Sequence, residues 1–208
     1  MRISPHKALL VDSAAARPFP AAAAVLALML ATAARCALAQ APADWRLPER
    51  LPARELRQDG ISVIVTPLLV EPVMGFLIGR GFPLAQAQRY GAGCVIRVTM
   101  RNESAPAAIS YDLRSWRMRR PNGALSALRP REDWMRDWQN AGLSDASKIG
   151  FEWSQLPSAL KLDRGDSTQG MIHTGLPAGS RFDLLLEWVC DGKIIRDKLK
   201  EIDCAPRS

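Results

Sequence analysis

Histidine and tyrosine are scarce in this 208-residue chain, with two of each, and glycine-rich phosphate loops are missing. One of the two histidines, His6, lies in a stretch that reads as a leader, which leaves His173 as the only imidazole beyond it. A single imidazole cannot build the two- or three-histidine sites typical of zinc or type-2 copper. There is no G-x-S-x-G elbow to expose a nucleophilic serine, and a Ser–His–carboxylate arrangement would have to rely on His173 alone. "GRGFPL" at Gly79–Leu84 begins like a dinucleotide loop, but Leu84 stands where the third glycine is needed. No catalytic signature is recognisable, so the sequence points away from an enzyme.

The first residues bear on compartment. Arg2, Lys7 and Arg17 precede "AAAAVLALMLATAA" and the small-residue site "ALA" at Ala37–Ala39, the layout of a secretory signal peptide spanning 1–39. Arg35 before Cys36 is unlike a lipoprotein processing site, where a small residue stands. The leader carries four of the 28 basic residues and one of the 21 acidic ones, so the remaining chain has 24 against 20, a net of +4. That balance gives little support to nucleic-acid binding. The expected location is periplasmic or secreted, with no membrane span once the leader is removed. Cys94, Cys190 and Cys204 would then meet an oxidising compartment, enough for one disulfide and one leftover thiol. All three pairings are possible on paper, and the short loop favours Cys190–Cys204.

Residues 40–60, rich in proline and charge, read as an extended N-terminal arm, and 61–208 as one domain. "ISVIVTPLLV" is a first strand that Pro67 confines to an edge or a bend. In "CVIRVTMRN", Cys94, Ile96, Val98 and Met100 alternate with Arg97, Thr99 and Arg101, the period of a half-buried strand. "AISYDLRSWRM" repeats the pattern, and "RFDLLLEWVC" sets Phe182, Leu184, Leu186, Trp188 and Cys190 against a second face where Leu185 and Val189 suggest cover on both sides. Asp191-Gly192 marks a hairpin turn. "IGFEWSQLP" reads as a further strand. Helices are expected at Pro83–Tyr90, with proline in the first turn, and in "REDWMRDWQNAG", where Trp134 and Trp138 share a face.

Many short strands and two short helical insertions describe an all-β, two-sheet antiparallel sandwich. "CVIRVTMRNESAPAAISYDLRSWRMRRPNG", followed by "LDRGD" and "GLPAGSRFDLLLEW", resembles the layout of uncharacterised secreted bacterial immunoglobulin-like sandwich domains. That resemblance covers roughly Ile61–Leu199 and implies a non-catalytic binding or assembly module without naming a ligand.

The candidate contact residues are Arg114, Arg117 and Arg119, part of an arginine excess that continues through Arg120, Arg129 and Arg131, and the tryptophans Trp134 and Trp138. Arginine suits an acidic protein or an anionic envelope component, and tryptophan is enriched at contact surfaces. One rival is copper handling by Met171 and His173, soft ligands two residues apart on one strand face, with Cys94, Cys190 or Met100 completing the set. The other is a hydrolase using Asp163 with Asp166, or Asp183 with Glu187.

Overall fold

Residues 51–206 are described by the structure, a computed structural model, and they fall within one unit, Pro48–Ser208. The expected leader and the arm up to residue 50 lie outside the described residues. Ten strands and four helices follow in the order β1 (Arg54–Gln58), β2 (Ile61–Pro67), α1 (Val70–Ile78), α2 (Leu84–Gly91), β3 (Gly93–Asn102), β4 (Ile109–Asp112), β5 (Arg117–Arg119), β6 (Leu125–Ala127), α3 (Arg131–Asn140), α4 (Asp145–Ser154), β7 (Ala159–Leu162), β8 (Ser167–Pro177), β9 (Arg181–Cys190) and β10 (Lys193–Asp203) among the described residues.

All strand pairs are antiparallel, and they form two sheets. Sheet A runs β1-β2-β3-β8. Sheet B is centred on β9, which takes β10 along one edge and, along the other, β5 at Asp183–Leu185 and β4 at Val189–Cys190. β6 extends the sheet from β5 and β7 from β4. Sheet A thus begins at Arg54, inside the stretch read as an arm, and β2 is an interior strand whose closing residue is Pro67. A proline there costs no ladder bond to β1, whose pairing stops at Val65.

The period-two pattern explains the main core. Val63 and Val65 of β2, together with Cys94, Ile96, Val98 and Met100 of β3, face Phe182, Leu184, Leu186 and Trp188 of β9, all fully or almost fully buried. Burying side chains of this size contributes on the order of 1.5–3 kcal/mol each. The bridge Cys94–Cys204 ties β3 to the residue after β10 and so links the two sheets, while Cys190 is a buried free thiol. This corrects the Cys190–Cys204 expectation. The β9–β10 register pairs Cys190 with Lys193 at the turn and Arg181 with Asp203 at the far end. Cys190 and Cys204 therefore sit at opposite ends of a ladder about ten residues long, roughly 30 Å at 3.3 Å per residue, far beyond disulfide reach.

Sheet A carries a second core on its outer face. Val95 of β3 and Met171 of β8 point there and meet Val73 and Leu77 of α1, Tyr90 of α2, Trp134 and Trp138 of α3, and Phe151 of α4. Two of the four helices differ from expectation. α1 has no counterpart among the expected helices, and α4 occupies the stretch expected as the strand "IGFEWSQLP". Ser144 caps α4 by accepting from the Ser147 amide at 3.2 Å, and Asp145 stands in its first turn. The apparent alternation of Phe151 and Trp153 dissolves on a helix, with Phe151 buried and Trp153 84% exposed. The chain then runs back along β8, where Gly170 is needed because a Cβ would stand 2.1 Å from the Leu156 amide nitrogen.

Sheet B has no second core among the described residues. Leu185 and Val189, expected to be covered on both sides, are half-buried among neighbouring strand side chains, and the helical core includes no residue of this sheet. No helix among the described residues is long and apolar enough to cross a membrane.

Candidate functional site

The outward face of sheet B, uncovered among the described residues, collects the basic residues. Register puts Arg117 opposite Leu185 and Arg119 opposite Asp183, while Arg196 lies opposite Glu187 and Lys198 opposite Leu185 on the other edge of β9. These side chains share the outward face because their inward neighbours Met118, Leu184, Leu186 and Leu199 are buried. The Arg117 guanidinium donates to the carbonyls of Arg114 and of Trp116, the latter at 2.8 Å, so its position is fixed by backbone. Arg196 pairs with Glu187 at 2.8 Å. Arg119 and Lys198 have no acidic side-chain partner among the described residues, and Arg114 lies 3.9 Å from Asp112. Together with Ser115 and Leu185, the residues Arg117, Glu187, Arg196 and Lys198 border a shallow depression of about 430 Å³. Exposed Leu125 of β6 and Ile194 of β10 add apolar surface on the same face.

Arg129 and Arg131 of the cluster serve elsewhere. Arg131 meets Glu132 at 3.1 Å and Glu152 at 3.9 Å. Arg129 lies 3.7 Å above the Trp134 ring and pairs with Asp137 at 2.5 Å, and Arg89 reaches the same carboxylate oxygen at 2.5 Å. Asp137 therefore joins two guanidiniums that both lie over indole rings, an arrangement in which cation–π contact is favourable.

Trp134 and Trp138 are buried, not presented. Their rings stack with centroids 5.0 Å apart, and Trp138 also packs on Phe82 and Phe151. This overturns their expected place in a contact surface. The exposed tryptophan of the helical layer is Trp153, with exposed Ile149 one turn before it on α4.

His173 is 6% exposed and faces this same core, its ring 4.7 Å from Trp134 and 5.1 Å from Tyr90. Nδ1 accepts from the Gly175 amide at 2.9 Å, which leaves the proton of the neutral ring on Nε2. Nε2 is buried without a hydrogen-bond partner among the described residues. Burial, and secondly the Arg129 guanidinium, push the imidazole pKa from 6.5 down to about 4, opposed by the Tyr90 backbone, whose geometry falls short of a hydrogen bond. Met171 shares this face, but the other proposed soft ligands do not. Cys94 is in the bridge, and Cys190 and Met100 belong to the core between the sheets. Among the described residues no three His, Cys, Asp or Glu side chains come together in a way that could hold a metal.

The carboxylates proposed for hydrolysis are each engaged by a neighbour. Asp166 accepts from the Asp163 amide at 2.9 Å in an exposed turn, and Lys161 pairs with Asp163 at 3.3 Å. Asp183 accepts from the Glu201 amide at 2.9 Å across the β10 irregularity, while Glu187 holds Arg196. Sequence reasoning missed Arg196, Lys198 and Leu185 as neighbours of the arginine strand. The signal was present in the Asp191-Gly192 turn, which sets the β9–β10 register once it is followed residue by residue.

No family model and no curated protein matches the chain. The crystal structure of a DUF4426 family protein from Pseudomonas aeruginosa PAO1 aligns over 75% of this chain and 97% of its own, at 10% identity and a TM-score of 0.36. It is a distant likeness from which neither fold nor function is transferred.

Proposed function

We propose that this protein is a non-catalytic binding or assembly module of the bacterial envelope, periplasmic or secreted, and that it recognises an anionic partner through the outer face of sheet B. One observation carries the reading: Arg117, Arg119, Arg196 and Lys198 converge around Leu185 on a sheet face that no other layer covers among the described residues. A guanidinium held by backbone carbonyls loses little freedom on binding, which favours Arg117 as a recognition point. The leader-like sequence pattern of residues 1–39 supports the location. The immunoglobulin-like form of the sandwich belongs to the same proposal, supported by an inter-sheet bridge and a core containing Trp116 and Trp188.

The test is site-specific photo-crosslinking in cells, with the crosslinker at Leu125 on the basic face. A single adduct with an envelope component, lost in the double variant Arg117→Glu/Arg119→Glu, is the expected result. An adduct obtained only from position 153 would move recognition to the helical layer. Recovery of the protein from the cytoplasm alone would overturn the location.

A further inference from the structure

A second concavity, distinct from the basic face, opens at the turn end of the sandwich, where three loops meet. The β1–β2 turn contributes Asp59 and Gly60, the β9–β10 turn contributes Asp191, and the loop after β3 contributes Ser104 and Pro106. The cavity measures about 540 Å³, within the range that holds a small organic molecule. Its floor is apolar, made by Ile61, Trp188, Cys190 and Ile195, and it reaches the core between the sheets.

The walls are held in place. Asn102 is fully buried and braces the third loop by accepting from the Ala105 amide at 3.0 Å and donating to the Ala107 and Leu162 carbonyls at 3.1 and 3.2 Å. The amides of Glu103 and Ser104 donate to the Gly60 carbonyl at 2.8 and 3.1 Å, locking that loop to the first turn. A pocket assembled in advance spares its ligand the cost of ordering the loops.

Charge at the rim defines the ligand. Asp59, Asp191 and Lys193 line the opening, and none has an ion-pair partner among the described residues, whereas the nearby Glu103 is neutralised by Arg57 at 2.9 Å. Two unpaired carboxylates against one ammonium leave the rim negative above an apolar floor. We infer that this cavity binds a small apolar molecule carrying one ammonium group, the apolar body against Ile195 and the charge between Asp59 and Asp191. Such a site serves a different ligand class from the basic face, so the failure of one leaves the other standing.

The experiment compares three probes of similar size on the purified protein: 2-phenylethylamine, 2-phenylethanol and 3-phenylpropionate. Binding is read by calorimetry, and the rate of Cys190 alkylation by iodoacetamide is read by peptide mass. The expected result is that the amine binds at least tenfold more tightly than the acid and slows Cys190 alkylation. In Asp59→Asn/Asp191→Asn the preference falls below threefold with the melting temperature unchanged. Asparagine is the suitable replacement because both positions have positive φ, 49° and 50°, which it tolerates. Equal binding of amine and acid, tighter binding of the acid, no saturable binding of the amine, or binding that leaves Cys190 alkylation unaltered would each overturn the inference.

Discussion

Nε2 of His173 stands 2.1 Å from where a Cβ on residue 93 would lie, so the buried ring and Gly93 fit only as a pair. Gly93→Ala is expected to lower stability by about 1–3 kcal/mol, the usual cost of overfilling a packed site. Chemical denaturation checks this. The double variant Gly93→Ala/His173→Ala should lose less than the two single changes added together, because removing the ring vacates the space the methyl needs.

The same histidine makes stability depend on pH. Its folded pKa of about 4 lies below the unfolded value of 6.5, so between those limits the unfolded chain binds more protons. The contribution is complete above pH 6.5 and is lost as the pH falls towards 4, amounting to about 3 kcal/mol at most. Denaturation midpoints across this window should show a slope in the wild type that is absent in His173→Gln.

The bridge Cys94–Cys204 closes a sequence separation of 110 residues. Loop-closure entropy assigns a bridge of that span about 4–5 kcal/mol, so Cys94→Ser/Cys204→Ser should unfold at much lower denaturant. Peptide mapping without reductant should recover residues 94 and 204 as one linked pair and Cys190 as a free thiol. A Cys190–Cys204 pair would contradict the observed β9–β10 register.

Arg129 over Trp134 invites a double-mutant cycle. Trp134→Ala alone should cost about 3–5 kcal/mol through the cavity it leaves. The coupling energy with Arg129→Ala should lie near 0.5–2 kcal/mol, the range of a partly desolvated cation–π contact. A coupling of zero would mean that the guanidinium is held by Asp137 alone.

On the basic face, Arg119→Ala should change stability by less than about 0.5 kcal/mol, because the side chain is exposed and lacks an acidic partner among the described residues. The same change should weaken binding of the crosslinked partner about tenfold or more. Raising the salt concentration should narrow the gap between wild type and variant, as exposed charges are screened.

The sheets were largely legible in the sequence, because β3 and β9 alternate over ten residues each and face a common core. α4 was not, since Phe151 and Trp153 mimic strand alternation and only the Ser144 cap betrays a helix. The fate of Trp134 and Trp138 was equally hidden. Their spacing shows that they share a helix face, but not that β3 and β8 lie beneath it. The arginine strand was visible locally, yet half of the basic face comes from β10, which joins it through register alone. The disulfide error had a physical remedy in plain sight, as a hairpin at Asp191-Gly192 already parts Cys190 from Cys204.

The two sheets differ in how much of each is enclosed, and this bears on how freely the chain can drift. β3 has apolar neighbours on both sides over part of its length, between the sheets and again beneath the helices. Among the described residues β9 is enclosed on one side only. Over many generations, substitutions should accumulate at the outward positions of β9 and β10 and be purged from both faces of β3, so the surface proposed to meet a partner is also the one where related chains can diverge in what they bind.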